Sequence, residues 1–145
     1  MPRILLAVGQ PNDNELWVAK ASSPLSSVTF TISATSSAFI AACAQAFSGA
    51  HFASPFDANA AIPNAVNTTG DAACTTSNTT DILIGAARVS GGTTIPGAGW
   101  TLIGGSGNFF GFEYQSVTST QSATAATWAG ISAAGSICDA IIKGP

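Results

Sequence analysis

GWTLIGGSGNFFGFEYQSVT, residues 99–118, decides how the rest of the chain is read. Two apolar runs, Trp100 to Ile103 and Phe109 to Val117, flank the set Gly104-Gly105-Ser106-Gly107-Asn108. Glycine supplies the positive backbone angles that tight hairpin turns need, so the stretch predicts strand, turn and strand. The second run alternates: Phe110, Phe112, Tyr114 and Ser116 fall on one face, and Phe109, Gly111, Glu113, Gln115 and Val117 on the other. That period of two puts an aromatic ladder on one side of a sheet and a polar pair on the other. Two strands alone are marginal in water, so a hairpin this aromatic needs a second sheet to bury against.

Outward from the hairpin the same signals recur. Thr80 to Val89 (TDILIGAARV) predicts a strand interrupted by Gly85, and Ser90 to Gly99 a glycine-rich connection containing Pro96. Ala123 to Trp128 gives an Ala/Thr alternation, and Gly135 to Lys143 a last strand. Toward the N-terminus, Ser27 to Thr35 alternates strictly, with Val28, Phe30, Ile32 and Ala34 expected inward. This is the cleanest pattern of a half-buried strand in the chain. Phe39 to Phe47, apolar on both faces, reads as a central strand, with helix the alternative on its length and alanine content. Ala50 to Asn78 is irregular, with a weak Thr/Ala strand within 65–76. Arg3 to Val8 and Glu15 to Ala21 read as hairpin partners around the turn-rich Gly9 to Asn14. Short strands separated by turn clusters, roughly nine to ten of them, predict an all-β fold. The expected architecture is a two-sheet antiparallel β-sandwich, jelly-roll-like, forming a single domain over residues 1–145.

Composition bounds the function. Hydrophobic residues make up 46% of the chain and charged residues only 8%, about a third of the usual share. Four scattered cations, Arg3, Lys20, Arg88 and Lys143, make no basic stripe, which argues against a nucleic-acid partner. No run approaches the ~18 apolar residues of a membrane helix. The apolar core Ile4 to Val8 is shorter than the ~7–15 residues central to a signal peptide, so an ordinary export signal is not expected. A surface this poor in charge is sticky, and part of it is expected to be covered by other copies or by a larger assembly. A neutral Ser/Thr/Asn surface is the alternative.

Chemistry is sparse. The three cysteines, Cys43, Cys74 and Cys138, lack zinc spacing and read as buried free thiols, with one bridge, Cys43 to Cys74, as the alternative. The single histidine, His51, lies in a loop, and no G-x-S-x-G elbow accompanies it. The acids Asp13, Glu15, Asp57, Asp71, Asp81, Glu113 and Asp139 show no spacing that picks out a catalytic pair. Glu113, mid-strand among aromatics, is a candidate buried acid paired with Arg88. The sequence PNDNE at 11–15 has oxygens enough for calcium but lacks the EF-hand spacing, so a turn is expected. Asn67-Thr68-Thr69 and Asn78-Thr79-Thr80 match the glycosylation acceptor pattern by coincidence in a threonine-rich chain. No catalytic residue, metal site or cofactor is expected. Of the tryptophans, Trp100 is expected in the core, whereas Trp17 and Trp128 are candidates for stacking on a sugar ring.

VTFTIS at 28–33, AFSGA at 46–50, TSNTTDILIGAARV at 76–89, GAGWTLI at 97–103 and EYQSVT at 113–118 together resemble a broad group of β-sandwich domains. These jelly-roll or concanavalin-like modules occur in tailed-phage virion proteins and bacterial surface proteins. The resemblance spans roughly residues 17–143, and its turn glycines and core aromatics speak to fold more than to function. In that group more chain usually precedes the segment matching Trp17 than the sixteen residues present here. This implies either a lost strand or one supplied by a neighbour. The resemblance implies a non-enzymatic bacteriophage virion protein, a capsid decoration or other small surface subunit, localised to the virion. Its expected partners are other virion proteins and copies of itself, as a homo-oligomer. The alternative is a lectin-like module that binds glycans through Trp17 or Trp128.

Overall fold

The structure is a computed structural model that describes residues 3–7, 14–33, 41–66, 70–90, 94–106, 110–129 and 132–142. Its strands are β1 (Arg3–Ala7), β2 (Asn14–Val18), β3 (Asn64–Val66), β4 (Ala73–Cys74), β5 (Asp81–Ser90), β6 (Thr101–Ser106), β7 (Phe110–Val117), β8 (Thr124–Ala125) and β9 (Ser132–Ile142). All pairings are antiparallel, and the described residues contain no helix. One five-stranded sheet has the order β3-β9-β5-β7-β6, accompanied by two ribbons, β1-β2 and β4-β8.

Between Asp81 and Arg88 the run Ile82 to Ala87 is apolar on both faces: β5 lies between β7 and β9, and packed side chains cover both sides of it. Its odd positions, Leu83, Ala87 and Val89, face one side of the sheet. There Leu83 joins Cys138, Ala140 and Val117 from neighbouring strands, with Cys74, Ala72, Ala126, Ile62 and Trp100 packed over them. The even positions Ile82 and Ile84 face the other side with Ile137 and Ile141, under Leu16 of β2 and beside Phe47, Phe112 and Tyr114. The alternation expected for β7 is the one observed, Phe112 and Tyr114 to one face and Val117 to the other.

The glycines of the central hairpin serve a different purpose from the one expected. Gly104, Gly105 and Ser106 belong to β6 rather than to a turn, and the connection 107–109 lies outside the described residues. Gly105 pairs with Gly111. A Cβ on Gly105 would lie 3.0 Å from the Thr94 side chain, and one on Gly111 would strike the Trp128 ring. These positions are bare so that Thr94 and Trp128 can lie close to the sheet. A true turn precedes β6: the Trp100 N–H donates to the Gly97 carbonyl at 3.0 Å, and Gly99 sits at φ 84°, where a side chain is disfavoured.

Three expectations are corrected. Residues 27–33 join no ladder, and Val28, Phe30 and Ile32 are 46%, 65% and 58% exposed rather than inward. Their alternation fits a strand, but no segment among the described residues offers them backbone partners. Residues 41–47 are likewise not a strand: Phe47 stands edge-on to Tyr114 at 5.3 Å, so this part of the chain crosses the face of the sheet rather than entering it. Positions 34–40 lie outside the described residues. The third correction concerns the cysteines. Cys74 and Cys138 form a disulfide with Cα atoms 5.5 Å apart, both residues fully buried, whereas Cys43 is the free, exposed one. Close approach of β4 to β9 sets this pairing, helped by Ser136, whose Oγ accepts from the Ala72 N–H at 2.6 Å and donates to the Gly70 carbonyl at 3.0 Å.

The edge of β9 is closed by loop and strand in turn. The Ile142 N–H donates to the Pro55 carbonyl at 2.8 Å, the Asp57 N–H to the Ala140 carbonyl at 3.2 Å, and β3 then pairs with Ser136 to Cys138. At the opposite margin, no hydrogen bond among the described residues closes the outer edge of β6.

The Cys74–Cys138 bond spans 64 residues of sequence. Replacing both with alanine is expected to cost about 2–4 kcal/mol of stability. Urea denaturation of the wild-type and doubly substituted chains checks this, and an unchanged midpoint would refute it.

Candidate functional site

Two regions hold chemistry that the fold does not neutralise trivially: a set of enclosed carboxyl groups and an exposed, uncharged apolar surface.

Glu113 lies on β7 directly opposite Gly85 of β5 and is fully buried. The missing side chain at Gly85 lets Ala126 pack over it and leaves room for Glu113: a Cβ there would lie 2.5 Å from Ala126 Cβ and 3.3 Å from Glu113 Cγ. Arg88 projects from the opposite face, in register with Phe110, so the expected ion pair does not form. Instead, Glu113 Oε2 accepts the Gly97 N–H at 3.2 Å, tying the turn before β6 to the sheet, and Oε1 is buried without a partner. Burial pushes the Glu113 pKa up, the Gly97 N–H pulls it partly back, and the negative charge of Asp71 adds to the rise, giving about 8. At neutral pH this is an uncharged acid.

Asp57 and Asp81, 24 positions apart in sequence, meet at the start of β5. Asp57 Oδ1 accepts the Asn59 N–H at 2.7 Å, and Oδ2 accepts the Ser77 N–H, the Asn78 N–H and Asn78 Nδ2, each at 2.8 Å. Burial alone would raise its pKa, but these four donors outweigh that and hold it below the ordinary carboxylate value. Asp81 is fully buried beside this anion. Burial, and then the hydrogen bond and charge of Asp57, push it up to about 7, with Thr76 partly offsetting. The donors have saturated Asp57, so the pair accommodates a proton rather than a metal ion. Among the described residues no group of three or more metal-ligating side chains converges.

The remaining candidates separate cleanly. Trp128 is 5% exposed, its ring packed over Gly111, so it serves the core and has no open face on which a sugar could stack. Trp100 is buried, as expected. Trp17 is 58% exposed, and its indole Nε1 donates to Glu15 Oε2 at 2.8 Å, which fixes the ring on the outer face of β2. His51 Nδ1 accepts the Ser54 N–H at 3.1 Å, which makes it a turn residue. Asp13 and the greater part of PNDNE, and the sequon at Asn67, lie outside the described residues.

The second region is formed by 21–33 and 41–50, which contain no charged residue. Leu25, Val28, Phe30, Ala44, Gln45 and Ala46 line an apolar groove of about 260 Å³. Ile32 and Phe52 are also exposed, and Lys20 Nζ donates to the Phe52 carbonyl at 3.0 Å and lies 5.1 Å from the centre of that ring. Composition signalled such a surface, whereas nothing in the spacing signalled that Asp57 and Asp81 would meet.

Comparison with protein-family models, with curated proteins and with solved structures gives no match.

Both raised acids give the same sign of pH dependence. Between the ordinary carboxyl range and the folded values near 7 and 8, the native chain holds protons that the unfolded chain has released. Stability contributed by Glu113 and Asp81 is therefore full below about pH 4 and lost as pH rises through about 7 to 8. Urea midpoints measured across this range are expected to fall for the wild type and to flatten for Glu113→Gln with Asp81→Asn. A wild-type profile that is flat or rises across that window would contradict the assignment.

Proposed function

We propose that this chain is a non-enzymatic structural component of a phage virion, a capsid decoration protein or other small virion-surface protein of the jelly-roll-like sandwich kind. In this reading the five-stranded sheet is one layer, and the β4-β8 ribbon with its flanking loops stacks on it through the Leu83, Trp100 and Cys74 core. The chain binds its neighbours, other virion proteins and further copies of itself, by apolar and backbone contacts rather than salt bridges.

The observation that carries this reading is the uncharged surface of 21–33 and 41–50, on which Leu25, Val28, Phe30 and Ile32 face solvent. Contiguous apolar exposure of this kind marks interaction surfaces in soluble proteins. Enclosure of Asp57, Asp81 and Glu113 favours a structural use of these acids over acid–base catalysis, which needs substrate access.

Immunogold labelling of purified phage particles with antibody to this chain tests the reading. Label is expected on the particle surface and is expected to persist through a wash at about 1 M NaCl, where screening acts within about 3 Å. Particles that never carry label, or lose it in salt alone, would count against it.

One observation favours a second reading, a glycan-binding module: the exposed Trp17 ring, held in place by Glu15. Under this reading, binding on a glycan array is expected to disappear in Trp17→Ala and to survive in Trp17→Phe. Binding unchanged by either substitution removes Trp17 from the site.

A further inference from the structure

The segment Ser27–Ser33 has the composition of a strand and none of a strand's bonds. Val28, Phe30 and Ile32 alternate with Ser27, Thr29, Thr31 and Ser33. Among the described residues, no hydrogen bond involves the backbone of 27–33. A segment with β-branched and aromatic side chains at alternate positions, and with backbone N–H and C=O groups that bond to nothing among the described residues, is a template for pairing. The same chain carries a receptor of similar length. The outer edge of β6, Thr101–Ser106, is unpaired among the described residues, whereas the far margin of the sheet is closed by 55–57 and β3. Leu102, within that edge strand, is 37% exposed, and Ile95, in the segment leading to it, is 48% exposed.

We propose that residues 27–33 of one copy add as a strand to the β6 edge of a second copy. The occupant is argued from charge. Both the arm (21–33) and the edge with its approach (94–106) lack charged residues. The chain as a whole carries a net charge of −3, so two copies repel except where uncharged surfaces meet, and these are such surfaces. The join is of the strand-addition type: main-chain hydrogen bonds supply affinity, and Val28 and Phe30, which already line the groove, lie against Leu102 and Ile95. Donor and acceptor are different patches, so the contact is head-to-tail and closes into a ring or runs on as a chain of copies, unless two copies exchange arms reciprocally. This inference deepens the assembly part of the function proposed above and rests on it only there.

Thr31→Pro tests it, because proline removes the N–H and breaks the ladder. Since 27–33 makes no hydrogen bond within the chain, the melting of the isolated monomer is expected to be unchanged. Light scattering and sedimentation of the full chain over a concentration series are expected to show assembly of the wild type. The Thr31→Pro and Leu102→Lys variants are each expected to assemble at least about tenfold more weakly, the loss of roughly 1.4 kcal/mol. Hydrogen exchange at 27–33 is expected to slow as concentration rises. Equal assembly of wild type and Thr31→Pro overturns the arm while leaving an assembly by another surface. A wild type that stays monomeric, or slow exchange at 27–33 that does not depend on concentration, overturns the second copy as occupant; in the latter case the arm folds onto its own chain. Assembly through the arm by a protein that never labels phage particles sinks the virion reading and leaves this inference standing.

Discussion

Enclosure of β5 constrains the rest of the molecule. Neighbours on both flanks satisfy its backbone, and cores on both faces remove its side chains from water. A fully buried residue in β5, or opposite it on β7, is therefore apolar, a glycine or an acid that holds its proton, whereas Arg88, near the end of the strand, is only partly buried. Leu83 and Ile84 meet the first condition, and Gly85, over which Ala126 packs beside Glu113, the second. Asp81 and Glu113 meet the third by keeping a proton where an exposed acid would lose it. Asp57 is the informative contrast. Equally out of water, it stays ionised because four N–H groups converge on it, and its negative charge in turn suppresses ionisation of Asp81.

Much of the five-stranded sheet was legible from pattern alone. The strand at Thr80 to Val89, the hairpin partners from Trp100 to Val117 and the closing strand near Ile137 were all identifiable, because buried apolar runs need little context. Phe112 and Tyr114 fell on the expected face because a period of two fixes parity once any one residue is placed. Three features were hidden for separate reasons. Gly104 and Gly105 look like a turn, since sequence does not distinguish a glycine that bends the chain from one that yields space to a side chain, Cys43 over Gly104 and Thr94 over Gly105. The alternation of Val28, Phe30 and Ile32 reports what kind of surface would cover them, not whether their own chain supplies it. Cysteine spacing carries no information about pairing across 64 positions, where only the sheet brings Cys74 and Cys138 together.

The candidate sites were legible to different degrees. Glu113 drew attention as an acid among aromatics, but the partner expected for it, Arg88, lies on the wrong face, a consequence of parity across β5 and β7. Trp17 and Trp128 are equivalent as letters, yet one stands in solvent and the other fills the space above Gly111. The scarcity of ionic groups was the most durable signal. It anticipated an exposed surface with almost nothing to keep other molecules away, and the groove between 25–30 and 44–46 has that character.

The disulfide carries a historical implication. Both of its sulfurs belong to residues with no solvent exposure, so neither an oxidant nor a reductant reaches them in the finished fold. The link must be made while the β4-β8 ribbon still stands away from β9, or during an excursion that lifts it off. A chain matured among cytosolic reductants would thus seal two thiols beneath Ala72 and Ala126, whereas one matured outside would seal the bond. The state enclosed at closure persists for as long as the ribbon stays seated on β9, so exchange of that state reports how often the ribbon lifts.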